Sequence, residues 1–200
     1  TTPDRHFVAE RFARDGIGQA GVTATPFAAW IDEWQLAGPD LNHVTLTAQG
    51  TDFGYNIDLI SQSGFVPQGQ DGYSVKSAEG QASHYYSQPF YDVRGTVTVD
   101  DAPVTVTGAA WLDREWSGRL LSGEQLGWDW LGLSFQNGAR LMVAQLRAKG
   151  EPYRLGTWIA ADGTPRPLAP DEFLLEPGAG SPPESWRIRV PVPGINVDVE

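Results

Sequence analysis

One stretch of the chain indicates its fold class: residues 128–147, which read WDWLGLSFQNGARLMVAQLR. Two apolar runs, residues 128–135 and 139–147, flank the dipeptide Asn137-Gly138. Asn-Gly supplies the positive φ angles that a tight hairpin turn requires, so this arrangement is the strongest short-range hairpin signal. Residues 128–147 are therefore predicted to form two antiparallel strands joined by a tight turn.

The same pattern continues on both sides of this hairpin. Apolar and polar residues alternate with a period of two between turn residues such as Asp162-Gly163 and Gln70-Asp71-Gly72, which is typical of short antiparallel strands. The other predicted strands are residues 6–12, 27–36, 44–48, 53–61, 84–90, 95–99, 104–115, 156–160, 186–190 and 195–199.

Helical signal is sparse. Residues 169–173 could start a single helical turn, because proline and acidic residues favour a first turn, and residues 62–80 are rich in Gly, Ser and Gln, which indicates a long loop. We therefore predict an all-β protein. Its antiparallel strands are expected to curl into one or two barrel-like sheets, because closure removes exposed strand edges.

Composition limits the partners and the chemistry. The net charge is −11 and no run of Lys or Arg occurs, which argues against nucleic acid or an anionic membrane surface as the main partner, since both need clustered cations. There is no apolar run long enough to span a membrane and no leader pattern. A soluble cytoplasmic, periplasmic or secreted protein is expected, with peripheral membrane contact left open. Both ends are expected to be cut from a longer sheet.

The densest candidate segment is residues 108–117, GAAWLDREWS. In a strand, Trp111, Asp113 and Glu115 share one face, while Leu112, Arg114 and Trp116 share the other. One of these faces is expected to be inside. Either two carboxylates then lie next to a tryptophan in a partly dry environment, or an arginine is buried, and both arrangements are costly unless the charges are paired.

Asp129 is a second candidate acid. It is expected on the same face as Leu131, Leu133 and Phe135, where desolvation favours the protonated carboxyl that could donate a proton. The alternative is a structural ion-pair network in which the acids of both segments pair with arginines. That network would join Asp113, Arg114, Glu115 and Asp129 with Arg147 or Arg140.

Aromatic residues surround these acids. Trp111, Trp116, Trp128 and Trp130 fall within twenty positions, and although most tryptophans fill cores, aromatic faces also stabilise cations. Near them, Ser83-His84-Tyr85-Tyr86-Ser87 places His84 and Tyr86 on one face of a strand and Tyr85 on the other. His84 is a second-tier catalytic candidate, and the tryptophans and tyrosines are candidate ligand-binding residues.

These motifs resemble the AttH/CrtC-like family, which includes carotenoid 1,2-hydratases (hydroxyneurosporene synthases). The most specific matches are residues 111–117, WLDREWS, and residues 127–130, GWDW, supported by residues 7–14, 30–34, 85–87, 141–142 and 146–147. The resemblance implies two lipocalin-like (calycin) β-barrels packed together. We accordingly divide the chain into a first barrel portion, residues 1–92, and a second, residues 93–200.

Two functions are weighed. In the first, Asp113 or Asp129 protonates a C=C bond of an isoprenoid-like alkene, a carbocation forms against Trp111 or Trp128, and Glu115 or His84 activates the water that adds. No metal or organic cofactor is required. In the second, the protein is a lipocalin-like carrier of a lipid or pigment and performs no chemistry.

Other classes find little support in the sequence. There is no cysteine for a disulfide, a thiolate nucleophile or a metal, and no Gly-x-Ser-x-Gly motif for a serine hydrolase. The three histidines, His6, His43 and His84, are too widely spaced for a metal site. The segment after Gly16-Ile17-Gly18 is not helical in pattern, so a phosphate-binding loop is not expected.

Overall fold

The structure is a computed structural model that describes residues 1–118, 123–180, 183–190 and 195–199, with the backbone alone at residues 195 and 196. Its regular secondary structure is entirely β. The described strands are β1 (Ala20–Ala24), β2 (Phe27–Ile31), β3 (Trp34–Asp40), β4 (His43–Gln49), β5 (Phe53–Ser61), β6 (Val66–Pro67), β7 (Tyr73–Val75), β8 (Ala82–Val99), β9 (Ala102–Trp116), β10 (Gln125–Ser134), β11 (Arg140–Ala148), β12 (Tyr153–Ile159), β13 (Pro165–Leu168), β14 (Leu174–Pro177), β15 (Trp186–Val190) and β16 (Ile195–Val199).

The strands form three sheets. The largest has the order β1-β2-β3-β4-β5-β8-β6, with β7 and β9 also paired to β8. A second sheet has the order β10-β11-β12-β13 and a third β14-β15-β16. Each strand pair with an assigned register is antiparallel. The predicted all-β, antiparallel fold class is confirmed, whereas closure of the strands into two barrels stays a prediction.

The hairpin at residues 128–147 forms as predicted. Ser134 pairs with Arg140 at the end of the β10–β11 ladder, and the Phe135 amide donates a 3.0 Å hydrogen bond to the Ala139 carbonyl across the turn. Gly138 has a φ of 86°, a value that glycine adopts without the steric cost of a Cβ atom. The turn at Asp71-Gly72 likewise has two positive φ angles, 52° and 88°, and joins β6 to β7.

Several predicted elements are corrected. Residues 6–12 form no strand, and residues 169–173 form a turn in which the Glu172 amide donates to the Ala169 carbonyl at 2.9 Å. Predicted strand 27–36 is the hairpin β2–β3, which turns where Asp32 has a φ of 52°. Residues 84–90 and 95–99 belong to the single long strand β8, and the predicted loop at residues 62–80 contains the short strands β6 and β7.

Two physical causes account for most of these errors. The Asp32 turn carries no glycine or proline, and Asp is one of the few residues other than Gly that tolerate a positive φ angle. Strands β6 and β7 are only two and three residues long, so their pairing depends on the neighbouring β8 and leaves no periodic signal of its own. Strands β13 and β14, of four residues each, were missed for the same reason, and the five-residue strand β1 was missed as well.

The chain divides into two compact units, each made of two separate stretches. Unit 1 comprises Thr1–Gly64 with Phe90–Trp111, and unit 2 comprises Phe65–Pro89 with Leu112–Glu200. In unit 1 the buried apolar side chains include Phe27, Val44, Leu59 and Tyr91. The core of unit 2 is a cluster of buried side chains: Leu141, Val143, Leu168, Phe173, Leu175, Ile188 and Val190. The sequence-based division at residue 92 into two barrel portions stays a prediction.

Over the part of the chain that the structure describes, no helix has the length and apolar character needed to cross a membrane.

A paired carboxylate beside the β2–β3 turn gives unit 1 a testable pH dependence. Both terminal nitrogens of Arg11 donate hydrogen bonds to the Glu33 carboxylate, and this contact lowers the pKa of Glu33 from its ordinary value of 4.5 to about 2. The carboxylate therefore adds stability above pH 4.5 that is lost as the pH falls through about 2. We expect Glu33→Gln to destabilise the protein slightly at neutral pH, with a difference from wild type that shrinks as the pH falls and vanishes below about pH 2.

Urea unfolding of the two proteins at several pH values measures this difference. The same substitution in an Arg11→Gln background is the control, because the partner of Glu33 is then absent and the pH-dependent difference should be lost. A difference of equal size in both backgrounds would contradict the assignment to this ion pair.

Candidate functional site

The two faces of strand β10 have different environments. Along the strand, half-buried and exposed residues alternate without interruption. Leu131 and Leu133 pack against the core cluster of unit 2, so the opposite face presents Trp128 and Trp130. In the β10–β11 ladder Trp128 pairs with Leu146, and Trp130 pairs with Ala144, so apolar side chains lie beside both tryptophans.

This aromatic face forms one wall of a cavity of about 190 Å³ within unit 2. The wall consists of Trp128, Trp130, Ala144, Leu146 and Leu155. Trp128 is 57% exposed and Trp130 40% exposed. The tryptophans therefore form an apolar wall while part of each ring remains in contact with water.

The remaining lining of the cavity is polar and charged. It is provided by Lys76, Ser83, Tyr85 and Glu115, with Trp116 and Ser117 at the end of β9. Strand β8 positions two of these side chains, because Ser83, Tyr85 and Ser87 alternate along it and all three are buried. The cavity thus has one apolar wall and one wall that carries hydrogen-bonding and ionisable groups.

Tyr85 is the centre of a hydrogen-bond network. Its hydroxyl accepts a 3.2 Å hydrogen bond from Nε1 of Trp130 and also hydrogen-bonds with Ser87 and with the Asp113 carboxylate. Burial raises the pKa of Tyr85 above its ordinary value, and the negative charge of Asp113 raises it further. The phenol therefore remains protonated at neutral pH.

Asp113 is held by the same network. The Ser87 hydroxyl donates a hydrogen bond to Oδ1 of Asp113, and Ser87 in turn accepts a 2.8 Å hydrogen bond from Nε2 of Gln68. Gln68 is fully buried, so a buried amide fixes the serine that orients the carboxyl group. Asp113 is itself exposed and can exchange protons with water.

Glu115 forms the second polar cluster at the cavity. It accepts a hydrogen bond from Ser83 and lies 2.7 Å from Nζ of Lys76. The same ammonium lies 4.7 Å from the centroid of the Tyr85 ring, which is within range of a cation–π interaction. Lys76 therefore connects the Glu115 cluster with the Tyr85 network.

The prediction that one face of residues 108–116 is buried is wrong. Trp111 and Leu112 are half-buried, while Asp113, Arg114, Glu115 and Trp116 are exposed. Burial is not needed because hydroxyl donors and an ammonium satisfy the two carboxylates while water still reaches them. Neither the buried arginine nor the dry pair of carboxylates considered from the sequence is found.

Asp129 lies on the face of β10 opposite to the cavity. It shares that face with Leu131 and Leu133, as predicted, and its side chain is 12% exposed. Nε2 of Gln145 donates a 3.0 Å hydrogen bond to its carboxylate, and Nη1 of Arg147 lies 3.6 Å away. Asp129 thus forms an ion pair with an arginine, as in the structural ion-pair network considered from the sequence. It is not among the residues that line the cavity.

The other arginines of that alternative behave differently. Arg140 donates hydrogen bonds to the backbone carbonyls of Pro89, Gly138 and Ala139 at 3.0–3.2 Å. Arg114 forms no salt bridge with a described acidic residue. Of the predicted pairs, the structure provides Asp129–Arg147, and Glu115 pairs with Lys76.

His84 and Tyr86 are directed away from the cavity, as the alternation along β8 predicted. The His84 ring stacks on Trp116 with a centroid distance of 5.7 Å and an interplanar angle of 27°. Tyr86 meets Trp116 edge-on at 6.0 Å and Phe65 at 4.9 Å. These side chains line an open surface groove, so the structure does not bring His84 to the acids. Trp111 belongs to unit 1 and is not part of the cavity lining.

A family model described as AttH-like matches residues 1–200. The chain belongs to the AttH-like family. The crystal structure of an AttH protein from Nitrosomonas europaea is 28% identical, with a TM-score of 0.79 over 88% of this chain and 58% of that one. No curated protein sequence matches significantly.

A more distant solved structure shares the fold of this AttH-like chain. Kievitone hydratase from Nectria haematococca is 14% identical, with a TM-score of 0.64 over 82% of this chain and 54% of that one. The chain therefore spans somewhat more than half the length of the two solved proteins it matches. The family resemblance inferred from the tryptophan and acid motifs is confirmed.

Sequence reasoning missed four polar residues of this AttH-like site: Gln68, Lys76, Ser83 and Ser87. The Ser-x-Tyr-x-Ser spacing at residues 83–87 did carry a signal, because it places three polar groups on one strand face. Gln68 and Lys76 lie in the segment predicted to be a loop. That segment has no alternation of apolar and polar residues from which the direction of a side chain could be inferred. Among the described residues, no group of three His, Asp or Glu side chains could hold a metal ion.

Proposed function

We propose that the chain binds a small apolar molecule in the cavity of unit 2 and hydrates a C=C bond of that molecule by general acid catalysis. The observation that carries this proposal is the composition of the cavity walls. Tryptophan rings, a hydrogen-bonded phenol and a carboxylate line one space of about 190 Å³. Addition of water to an alkene needs a group that donates a proton, a base that accepts one, and a surface that stabilises a cation. The phenol, the carboxylate and the tryptophan rings can fill these roles.

The proposed proton donor is the Asp113–Tyr85 pair. Tyr85 lines the cavity and hydrogen-bonds with Asp113. Because burial raises the pKa of Tyr85, a phenolate is strongly disfavoured, and the phenol can release its proton only if another proton replaces it. The active form is the one in which solvent has protonated Asp113. Its carboxyl group then passes a proton to the Tyr85 oxygen while Tyr85 protonates the alkene carbon, so the proton that the pair loses comes from the carboxyl group.

The proposed cation lies against the tryptophan wall. Protonation of one alkene carbon breaks the π bond and leaves the positive charge on the other carbon. The faces of Trp128 and Trp130 carry the negative part of the aromatic quadrupole, and a desolvated cation–π contact contributes about 2 kcal/mol. This stabilisation acts on the cation and not on the neutral alkene, so it lowers the barrier.

Glu115 is the proposed base. Water attacks the cationic carbon through its oxygen, and the proton it releases passes to the Glu115 carboxylate, which lines the cavity. The alkene has then gained one water, Asp113 has lost a proton and Glu115 has gained one. Both carboxyl groups belong to exposed residues, so exchange with solvent restores the starting state.

Fold similarity adds support. One solved protein with this fold is named kievitone hydratase, so the fold is compatible with a hydratase. At 14% identity, this likeness concerns the fold, and the proposal for this chain depends on its own cavity.

The size of the cavity limits the group that is hydrated. A cavity of about 150 Å³ holds a benzene molecule, so about 190 Å³ holds roughly eight non-hydrogen atoms. We propose that a short branched alkene segment enters the cavity. In a longer molecule the remainder would lie along the exposed edges of Trp116 and Trp128.

A second candidate function is that of a carrier without chemistry. The salt bridges Glu115–Lys76 and Asp129–Arg147 favour it, because acids that neutralise neighbouring cations can be purely structural. The carrier would use the same cavity and would return its ligand unchanged.

Native mass spectrometry with a panel of lipids and acyclic isoprenoids separates the two functions. We expect one alkene of the panel to bind and to be released heavier by one water. A ligand bound and released at unchanged mass, with quenched tryptophan fluorescence, would support the carrier. If no member of the panel binds, the proposed cavity function is wrong.

A further inference from the structure

Among the described residues of the cavity lining, Lys76 is the cation. It follows β7 directly, and its backbone is held from two sides: its amide donates a 2.7 Å hydrogen bond to the Gln81 carbonyl, and its carbonyl accepts a 2.6 Å hydrogen bond from Nε2 of Gln125. Its side chain is only 12% exposed. A lysine buried to this extent is costly unless its charge and its donors are used.

The ammonium retains donors that can reach a ligand. An ammonium has three N–H groups, and the one described hydrogen-bonding partner of Nζ is Glu115, at 2.7 Å. The Tyr85 ring approaches the cation through its face at 4.7 Å and accepts no conventional hydrogen bond. Donor groups of Lys76 are therefore available to a molecule in the cavity.

The surrounding charges decide which acceptor fits. Glu115 contacts Lys76 directly, and Asp113 is connected to it through Tyr85. Among the described residues, this edge of the cavity therefore holds two acidic groups and one cation. An anionic ligand would face the carboxylates, and a cationic ligand would face the ammonium. A neutral oxygen with lone pairs meets neither repulsion.

We propose that Lys76 is a specificity-determining residue that selects apolar molecules carrying a neutral oxygen acceptor, such as a carbonyl, hydroxyl or ether group, close to the alkene. This inference rests on the proposed function, because it assigns the substrate class of the same cavity. The oxygen accepts a hydrogen bond from Nζ, which orients the molecule so that its alkene lies against the tryptophan wall within reach of Tyr85.

Tryptophan fluorescence titration with two matched probes tests the assignment. The probes are sulcatone, a small branched alkene with one carbonyl group, and the alkene with the same carbon skeleton and no carbonyl. Without a polar partner the cavity would prefer the hydrocarbon, because the carbonyl loses its hydrogen bonds to water on entering. We expect the wild-type protein to bind sulcatone roughly tenfold tighter or more, as a hydrogen bond from a charged donor allows.

Variants isolate the contribution of Lys76. Lys76→Met keeps the length of the side chain and removes its charge and donors, so it should abolish the preference for sulcatone while leaving hydrocarbon binding unchanged or tighter. Lys76→Arg retains donors and should restore part of the preference. The control is Lys149→Met, because Lys149 pairs with Glu124 and lies outside the cavity lining with 69% exposure, and it should bind both probes as wild type does.

The outcomes distinguish this inference from the function on which it rests. Equal binding of both probes by the wild-type protein would overturn the role of Lys76 and leave an apolar binding cavity intact, even if Lys76→Met failed to fold. Equal weakening of both probes in Lys76→Met would also overturn it. Failure of the wild-type protein to bind either probe would overturn the cavity function together with the inference.

Discussion

Asp113→Asn should slow hydration of the alkene identified by mass spectrometry by about 10²–10⁴-fold, the usual contribution of one general acid. The asparagine side chain keeps the size of the carboxyl group and can still hydrogen-bond with Ser87, so the network that Gln68 anchors should persist. What is lost is the proton that replaces the one leaving Tyr85. Initial rates at saturating substrate measure the loss, and circular dichroism verifies the fold.

The matched control is Asp129→Asn. Both substitutions remove one carboxyl group from a β-strand of unit 2, but Asp129 faces away from the cavity and contacts Gln145 and Arg147. Asp129→Asn should leave the rate within a small factor of wild type and reduce stability modestly. Full activity in Asp113→Asn, or an equal loss in both variants, would show that the proposed proton donor is wrong.

Tyr85→Phe extends the same experiment. It removes the hydroxyl that connects Asp113 with the cavity and leaves the aromatic ring beneath Lys76 in place. A loss as large as that of Asp113→Asn, with no further loss in the double variant, is expected if the two residues act as one donor.

Leu141→Ala should lower the free energy of unfolding by about 2–5 kcal/mol. Leu141 is fully buried in the core cluster of unit 2 and packs with Val143 and Ile188. Removal of its branched side chain costs the transfer free energy of the deleted methyl groups and leaves a cavity that the surrounding strands cannot fully close. Equilibrium unfolding in urea, followed by tryptophan fluorescence, measures the change.

Leu126→Ala is the comparison of identical chemistry. Leu126 lies on β10, next to the strand of Leu141 in the same sheet, but it is 64% exposed. Its truncation should change the free energy of unfolding by less than about 0.5 kcal/mol. If both variants lost the same free energy of unfolding, the buried cluster would not be the main contributor to the stability of unit 2.

The strand pattern could be predicted wherever a strand carried its own periodic signal. Strand β5 and strand β15 have the predicted bounds, and the β10–β11 hairpin forms around Asn137-Gly138. In these places turn chemistry and alternation are local properties, so they operate before any tertiary contact exists. Short strands such as β6 and β7 could not be predicted, because their conformation depends on pairing with β8.

Sequence reasoning could assign side chains to the faces of a single strand, but it could not predict how the strands bring the candidate site together. Alternation within one strand correctly separated Tyr85 from His84 and Asp129 from the two tryptophans, since successive side chains point to opposite faces. The sequence does not report which faces of different strands meet. The pairing of strands distant in sequence brings Asp113 to Tyr85 and places both away from His84 and Asp129.

The amino-acid sequence thus determines the local level: the strands with strong alternation, their turns, the side chains that share a face, and the family. The tertiary structure alone brings Lys76, from a segment without periodicity, to Glu115 and the Tyr85 ring. It also leaves the acids of β9 exposed and paired, although the sequence suggested that one face is buried. The physical reason is that pairing and burial are set by strands distant in sequence, whereas period and turn type are set by neighbouring residues.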